Sequence, residues 1–409
     1  MRNAECRIVL RVVSAFCILH AAFAVAAQAQ QTVNVNGFLT ASGVNASGPT
    51  SWLEGGFGRL DAGGDRNGFL ATAHVGVDWN PTSWLTAHAS GLARREPSRY
   101  AGERAGLVDA YVELHNEHFQ LRAGQFFLGT SRENTGPLWS SPYTISFSAL
   151  NTWIGEEVRP VGVDLQWKPS FYVTAGATAF RNNDTAGALL AWRGWTVGNR
   201  LTVYNEVLPL PPLTSLKTGF ADQRTDGTVP FETDLDKRTG YAGRLRVQLP
   251  ERAMVQLTHF DNRGDRKEYR DEYAWKTRFD VVSAQAGTTS PTTVLAEYMR
   301  GKTGMGAPPI FVDADFDAWY VLLSHKVGRE RFSARYDGFS TTDRDHAPAE
   351  TNTEHGRSWL FAWLHDVNDH VRLGAEFVQV TGDRVAAAES GFSPNTDGHT
   401  VTVQLRYAF

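Results

Sequence analysis

Three aspartates on alternate positions, Asp313, Asp315 and Asp317 in "VDADFD", could offer carboxylate oxygens to a hard cation such as calcium. The run lacks the glycine and distal glutamate of an EF-hand loop, so a solvated acidic stretch in a long connection is the competing reading. His259, His325 and His365 could serve as bases for a serine nucleophile if an orienting acid stood nearby. No Gly-x-Ser-x-Gly stretch accompanies them, and on strand-like segments they read as lumen or interface residues. The most extensive chemical pattern is a set of charges that alternate with apolar residues. Its bases are Arg122, Arg244, Arg246, Arg335, Arg372 and Arg406, and its acids are Asp109, Glu113, Asp164, Glu297, Asp337 and Glu376. No catalytic residue, cofactor or metal is expected from these patterns.

The elements that carry these charges have a period of two. In "VGVDLQW" Val161, Val163, Leu165 and Trp167 face one way and Gly162, Asp164 and Gln166 the other. Val108, Ala110, Val112 and Leu114 likewise oppose Asp109, Tyr111, Glu113 and His115, and Val371, Leu373, Ala375 and Phe377 oppose Arg372, Gly374 and Glu376. Such segments recur in pairs across very short polar or proline-containing turns, for example Asn80-Pro81-Thr82-Ser83, Asn116-Glu117-His118, Pro169-Ser170 and Gly328-Arg329-Glu330.

Between the pairs the spacing predicts longer polar connections at about 47–67, 95–105, 130–156, 182–236, 263–271, 302–314, 341–356 and 383–397. With "TVNVNGFLTAS" first and "HTVTVQLRYAF" last, this gives an all-β, transmembrane antiparallel β-barrel of about 16 strands, with short periplasmic turns and long outer loops. "ALLAWRGW" and "RLTVYNEVL" could form another hairpin, making 18, or a loop helix and strand over the mouth. Two segments, "WLFAWLH" and "AWYVLLSH", are apolar on both parities and call for cover by a loop or a subunit. "FDVVSAQA" loses phase near Val281-Val282, where a bulge is expected.

Residues 1–29 carry Arg2, Arg7 and Arg11, an apolar run and small residues at Ala27 and Ala29, the pattern of a cleaved secretory signal peptide. Its removal takes Glu5 and both cysteines, Cys6 and Cys17, and leaves residues 30–409 with 37 basic and 43 acidic residues, net −6. A nucleic-acid partner is therefore not expected. Glycine at 38 residues and 12 tryptophans, 12 tyrosines and 23 phenylalanines suit strands, turns and interfacial girdles, with Trp79, Trp84, Trp167, Phe171 and Phe409 near segment ends.

At "LRAGQFFLGTSREN" the residues Arg122, Gly124, Gln125 and Phe126 form an Arg-x-Gly-Gln-Phe strand. Here the sequence resembles the outer-membrane porins related to the phosphate-selective O/P group. The resemblance implies a diffusion channel of the bacterial outer membrane, commonly trimeric, whose third loop folds in and narrows the pore. Loop 130–156 holds one base, Arg132, beside Glu133 and Glu156, too little positive charge for a phosphate binder.

Balanced charges on the inward faces are expected to line a weakly selective passage for small polar solutes or ions. The expected partners are outer-membrane lipid, those solutes, the outer-membrane assembly machinery and, as a homotrimer, further copies of the chain. By resemblance to outer-membrane proteins generally, the aromatic Phe409 is the signal read by that machinery. The competing readings are an outer-membrane enzyme such as a lipase and a secreted soluble β-protein with a binding role.

Overall fold

The computed structural model describes residues 32–96, 104–220, 227–231, 234–249, 252–270, 272–287, 290–347 and 350–409. The expected signal peptide, 1–29, lies outside the described residues, as do turn residues 250–251 and 288–289. Alternating side chains and short turns drive sixteen antiparallel strands to pair in sequence order and close on themselves. They are β1 (Thr32–Ser47), β2 (Arg66–Thr82), β3 (Leu85–Arg95), β4 (Ala105–His115), β5 (Phe119–Gln125), β6 (Val161–Ser170), β7 (Val173–Arg181) and β8 (Gly240–Leu249). The second half comprises β9 (Ala253–Asp261), β10 (Arg278–Ala286), β11 (Thr292–Ala307), β12 (Ile310–Val327), β13 (Glu330–Asp343), β14 (Glu354–Asp366), β15 (Val371–Arg384) and β16 (Gly398–Ala408). Short helices α1 (Ala149–Glu157), α2 (Ala188–Trp192), α3 (Ser215–Thr218) and α4 (Val385–Glu389) sit in the long connections.

β16 closes the barrel on β1, with Phe38 opposite Ala408 and Ser47 opposite His399. Backbone bonds between Gly37 and Phe409, 3.0 Å in each direction, extend the ladder to the last residue. The Phe409 ring lies over Gly37, where an added Cβ would come within 2.7 Å of the ring. Closure leaves no open edge, the condition for strands to stand in lipid. Val163, Leu165, Val247, Leu257, Val321, Leu323, Phe361, Val403 and Leu405 are exposed and form the outer belt, with Trp79, Trp84, Trp167 and Phe171 exposed at its periplasmic rim.

The expected sixteen strands are found: β7 pairs directly with β8, and the described residues of segment 182–239 add no hairpin to the barrel, so the alternative of eighteen falls away. Other expectations are corrected. The sixth outer connection is not long: β11 and β12 run on until Ala307 faces Ile310 across Pro308-Pro309. Asp313, Asp315 and Asp317 consequently stand on β12 and not in a loop. On that strand Val312, Ala314 and Phe316 alternate with them and are buried, which puts the aspartates on the outer face above Trp319. There Asp313 meets Arg266 at 2.9 Å and Asp315 meets Lys302 and Arg344, each at 3.0 Å.

No bulge interrupts β10, whose register to both neighbours is continuous through Val281 and Val282. Its two apolar faces arise because Phe279 and Val281 meet an apolar interior while Val282 meets lipid. The bulge falls instead in β4, where Ser90 faces Asp109 but Gly91 faces Leu107. That extra residue turns Val108 inward, to 1% exposure, and puts Leu107 on the lipid side.

Candidate functional site

The third outer connection, residues 126–160 between β5 and β6, does not project away from the barrel. Helix α1 begins at Ser148, whose hydroxyl accepts from the Asn151 amide at 3.2 Å, and every residue of the helix is buried. Its carbonyls, amides and acids are held by charges from the barrel wall. Arg335 on β13 donates to Glu133 at 2.6 Å and to the Ser146 and Phe147 carbonyls at 2.8 Å each. Asp337 accepts from the Ala149 amide at 3.2 Å, and Glu376 on β15 accepts from the Ile145 amide at 2.6 Å and the Ser146 amide at 3.0 Å. Glu297 on β11 takes the Arg132 amide at 2.9 Å and the Asn151 side chain at 3.0 Å.

The fourth connection enters as well. Arg384 donates to the Ala191 and Trp192 carbonyls at 2.7 and 2.9 Å, and Glu354 takes the Trp195 amide and Arg59, each at 2.8 Å. Between the loops and β9–β15 lies an apolar seal centred on Trp153, whose ring centroid is 6.0 Å from Trp195, 5.3 Å from Phe279 and 5.4 Å from Phe316. Leu360, Val378, Val380 and Ala318 complete that wall. This explains "WLFAWLH" and "AWYVLLSH": one parity meets lipid and the other meets the loops.

Every charged residue expected on the inner face is found on that parity, yet in two different settings. Glu297, Arg335, Asp337 and Glu376 hold the loop. Nearer the periplasmic end Arg122 pairs with Glu113 at 2.9 Å, Arg244 with Asp164 at 2.7 Å and Arg372 with Asp366 at 2.7 Å. Asp109 accepts from Ser90, and Arg246 donates to Gln256 at 3.1 Å. Arg406 stacks on Phe38 at 4.0 Å and reaches the Ser140 hydroxyl at 3.3 Å. In the loop itself Glu133 is buried against Arg335, and Glu156 is buried against Arg193 at 2.7 Å. Only Arg132 of the three loop candidates keeps partial exposure.

Burial raises two acids of these loops, Glu157 and Asp61. Glu157 goes to about 7 although it accepts from the Gly187 and Leu189 amides, and Asp61 in the first connection goes to about 7 through burial beside Glu156 and Glu96. Leu138 and Trp139 both take left-handed φ, 54° and 56°, an arrangement that costs on the order of 1–3 kcal/mol each unless packing enforces it. The packing is a stack of Trp139 on Phe127, 4.6 Å apart and 7° from parallel, and Leu138 seated on Gly76, where a Cβ would come within 2.6 Å of it.

Residues that sequence reasoning missed line the opposite wall. Thr40, Thr72 and Gln404, from β1, β2 and β16, face a cavity together with Asn199 and Asp61 from the loops. The inward parity of those strands carries hydroxyls and an amide, which was the available signal. The three candidate histidines are on the outer face: His259 lies 2.7 Å from Asp280, His365 2.6 Å from Glu330, and His325 2.7 Å from Thr292.

No family model matches the sequence, and no curated protein sequence matches it. Solved structures do resemble the fold. The outer membrane channel DcaP of Acinetobacter baumannii covers 93% of this chain and 97% of its own at 12% identity and a TM-score of 0.60. The anion-selective porin from Comamonas acidovorans covers 93% and 100% at 10% identity and 0.54. OmpT of Vibrio cholerae, in its trimer form, covers 93% and 99% at 11% identity and 0.54. At such identities the likeness is one of architecture: the chain has a porin-like outer-membrane β-barrel.

Proposed function

We propose that the chain is an outer-membrane porin through which small polar solutes or ions diffuse passively. The observation that carries this is the combination of an apolar outer belt with charged and polar inward faces around an in-folded third loop. Residues 1–29 act as the export signal in this reading, and segment 130–156 narrows the passage. Outer-membrane lipid surrounds the barrel, the assembly machinery inserts it, and a homotrimer is the working assembly, as in the trimer form of the Vibrio relative. Phosphate selectivity is not part of the proposal, because Arg132 is the only base in segment 130–156.

The three histidines weighed for an enzymatic reading, His259, His325 and His365, are engaged on the outer face, away from the barrel interior. The channel reading is tested by reconstituting the protein in planar bilayers and in liposomes. Ion conductance or uptake of labelled glycerol supports it, and a tight membrane in both assays sinks it. Deleting 136–149 should raise the flux if the third loop is the constriction. Unchanged flux through a folded deletion variant would move the constriction to residues 182–236.

A further inference from the structure

Four inward residues stand in one cross-strand row: Arg406 on β16, Thr40 on β1, Thr72 on β2 and Arg94 on β3. With neighbouring strands about 4.8 Å apart, the row spans about 14 Å. A cavity of about 100 Å³ lies between this row and Leu138, Trp139 and Ser140 of the third loop. Deepening the channel reading above, on which its place in transport rests, we propose that the cavity is a binding site for a small hydroxycarboxylate, with the carboxylate on Arg406 and the hydroxyls along Thr40 and Thr72.

The charge of the ligand follows from the ion pairs around the cavity. At the far end of the row Arg94 meets Glu206 at 2.6 Å and Glu96 at 3.1 Å, and Arg200 meets Glu96 at 2.8 Å, so the bases and acids of that end satisfy one another. Arg95 turns to the outer face and stacks on Phe69 at 5.7 Å. Asp61, the remaining acid of the lining, is raised to about 7, chiefly by burial, and is largely uncharged below that pH. Arg406 is the base left over. It stacks on Phe38 at 4.0 Å, donates to the Ser140 hydroxyl at 3.3 Å and has no carboxylate partner among the described residues. A guanidinium so placed is matched by a planar anion that accepts from two of its N–H groups.

The hydroxyls of the ligand follow from the middle of the row. Thr40 and Thr72 each present to the cavity a hydroxyl that can donate and accept. A polyol would match the threonines and leave Arg406 without an anion, and a plain carboxylate would do the reverse. The volume is that of about three waters, room for a three-carbon acid and too little for a sugar. Phe38, Leu138 and Trp139 supply apolar walls for its carbon chain.

The test titrates the protein, purified in a zwitterionic detergent and checked for heat-modifiable migration, with glycerate, propionate and glycerol by ligand-observed NMR. Glycerate should bind on the order of tenfold more tightly than propionate, which lacks the hydroxyls, and on the order of a hundredfold more tightly than glycerol, which lacks the charge. Arg406→Met should lower glycerate affinity to that of glycerol, and Thr40→Val combined with Thr72→Val should lower it to that of propionate. Arg300→Met, which removes an exposed base from the outer face, should change neither.

Glycerol binding equal to glycerate, or full glycerate affinity in Arg406→Met, overturns the charge. Propionate binding equal to glycerate overturns the hydroxyl row, and saturable binding of none of the three overturns the site. If Arg406→Met fails to assemble, the three-ligand series and the threonine pair decide. Binding alongside tight membranes in the flux assays keeps the site and removes the channel reading, and flux without binding does the reverse.

Discussion

The two halves of the barrel wall carry the same strand pattern outward and opposite chemistry inward. From β9 to β15 the inner face is apolar above a row of buried charges, and two loops are fastened to it by Arg335, Asp337, Glu376, Glu354 and Arg384. From β16 through β1 to β2 the inner face mixes Thr40, Thr72, Thr402 and Gln404 with Phe38, Val44, Leu70 and Arg406, and the loops touch it at Gly76 and Arg406 but leave cavities elsewhere. A barrel strand therefore records two environments at once. Its outward parity is fixed by lipid, while its inward parity reports whether protein or water lies against it.

The largest effect should come from the fastening. Arg335 and Glu133 have fully buried side chains 2.6 Å apart, so Arg335→Met leaves Glu133 and Asp337 as uncompensated buried charges, a cost of about 3–5 kcal/mol to loop docking. The expected outcome is faster hydrogen exchange across 145–157 and higher glycerol flux from a barrel that stays heat-modifiable. Unchanged exchange would show that the loop is held by the apolar seal alone. Trp153→Ala attacks that seal and should cost about 3–5 kcal/mol by opening a cavity among Trp195, Phe279 and Phe316. Thr72→Val on the other wall should cost no more than about 1 kcal/mol, read by the same exchange measurement. Equal losses from the two would erase the distinction between the walls.

A smaller effect is expected at the seam between β16 and β1. Phe409→Ala removes a ring worth about 1.5–3 kcal/mol of burial, too little to open a closed barrel. If the ring also serves as an assembly signal, the amount inserted in cells falls while protein refolded in detergent still migrates heat-modifiably and conducts. Normal insertion would reduce Phe409 to an interface residue packed over Gly37.

Much of the wall was legible in the sequence because lipid on one side enforces a period of two: strand number, order and the inward parity of the charges could all be read. The same reasoning failed where its premise did, that the inward parity is polar. Val281 and Leu360 are apolar inside because Trp153 and its neighbours lie there, a fact held by residues more than a hundred positions away. Val108 was misplaced by a one-residue bulge that leaves no mark in composition. The aspartates of β12 were assigned to a loop because charged residues on an outer face look like loop residues until the strand is seen to rise beyond the lipid belt. Loop interiors were the least legible, since nothing local says that Ala188–Trp192 turns inward.

The smallest predicted effect separates seal from cavity by pH. Glu157, in the seal, and Asp61, on the cavity, are both raised to about 7, chiefly by burial. Because the folded value lies above the unfolded one, each contributes stability that is complete in acid and is lost as pH rises through about 7. The protection of residues 149–157 against exchange, relative to the intrinsic rate at each pH, should therefore fall between about pH 4.5 and about pH 7, and Glu157→Gln, which cannot ionise, should remove that fall. Asp61 faces Arg200, Glu96 and Glu156 and accepts from the Asn199 amide, so its ionisation adds a negative charge to the cavity lining. Uptake of glycerate should fall as pH rises through about 7, and Asp61→Asn should flatten that fall without altering exchange in α1. If Asp61→Asn instead changes exchange in α1 as much as Glu157→Gln does, the two acids act on one packed unit. The polar wall would then be a second face of the seal, and not the wall of a separate site.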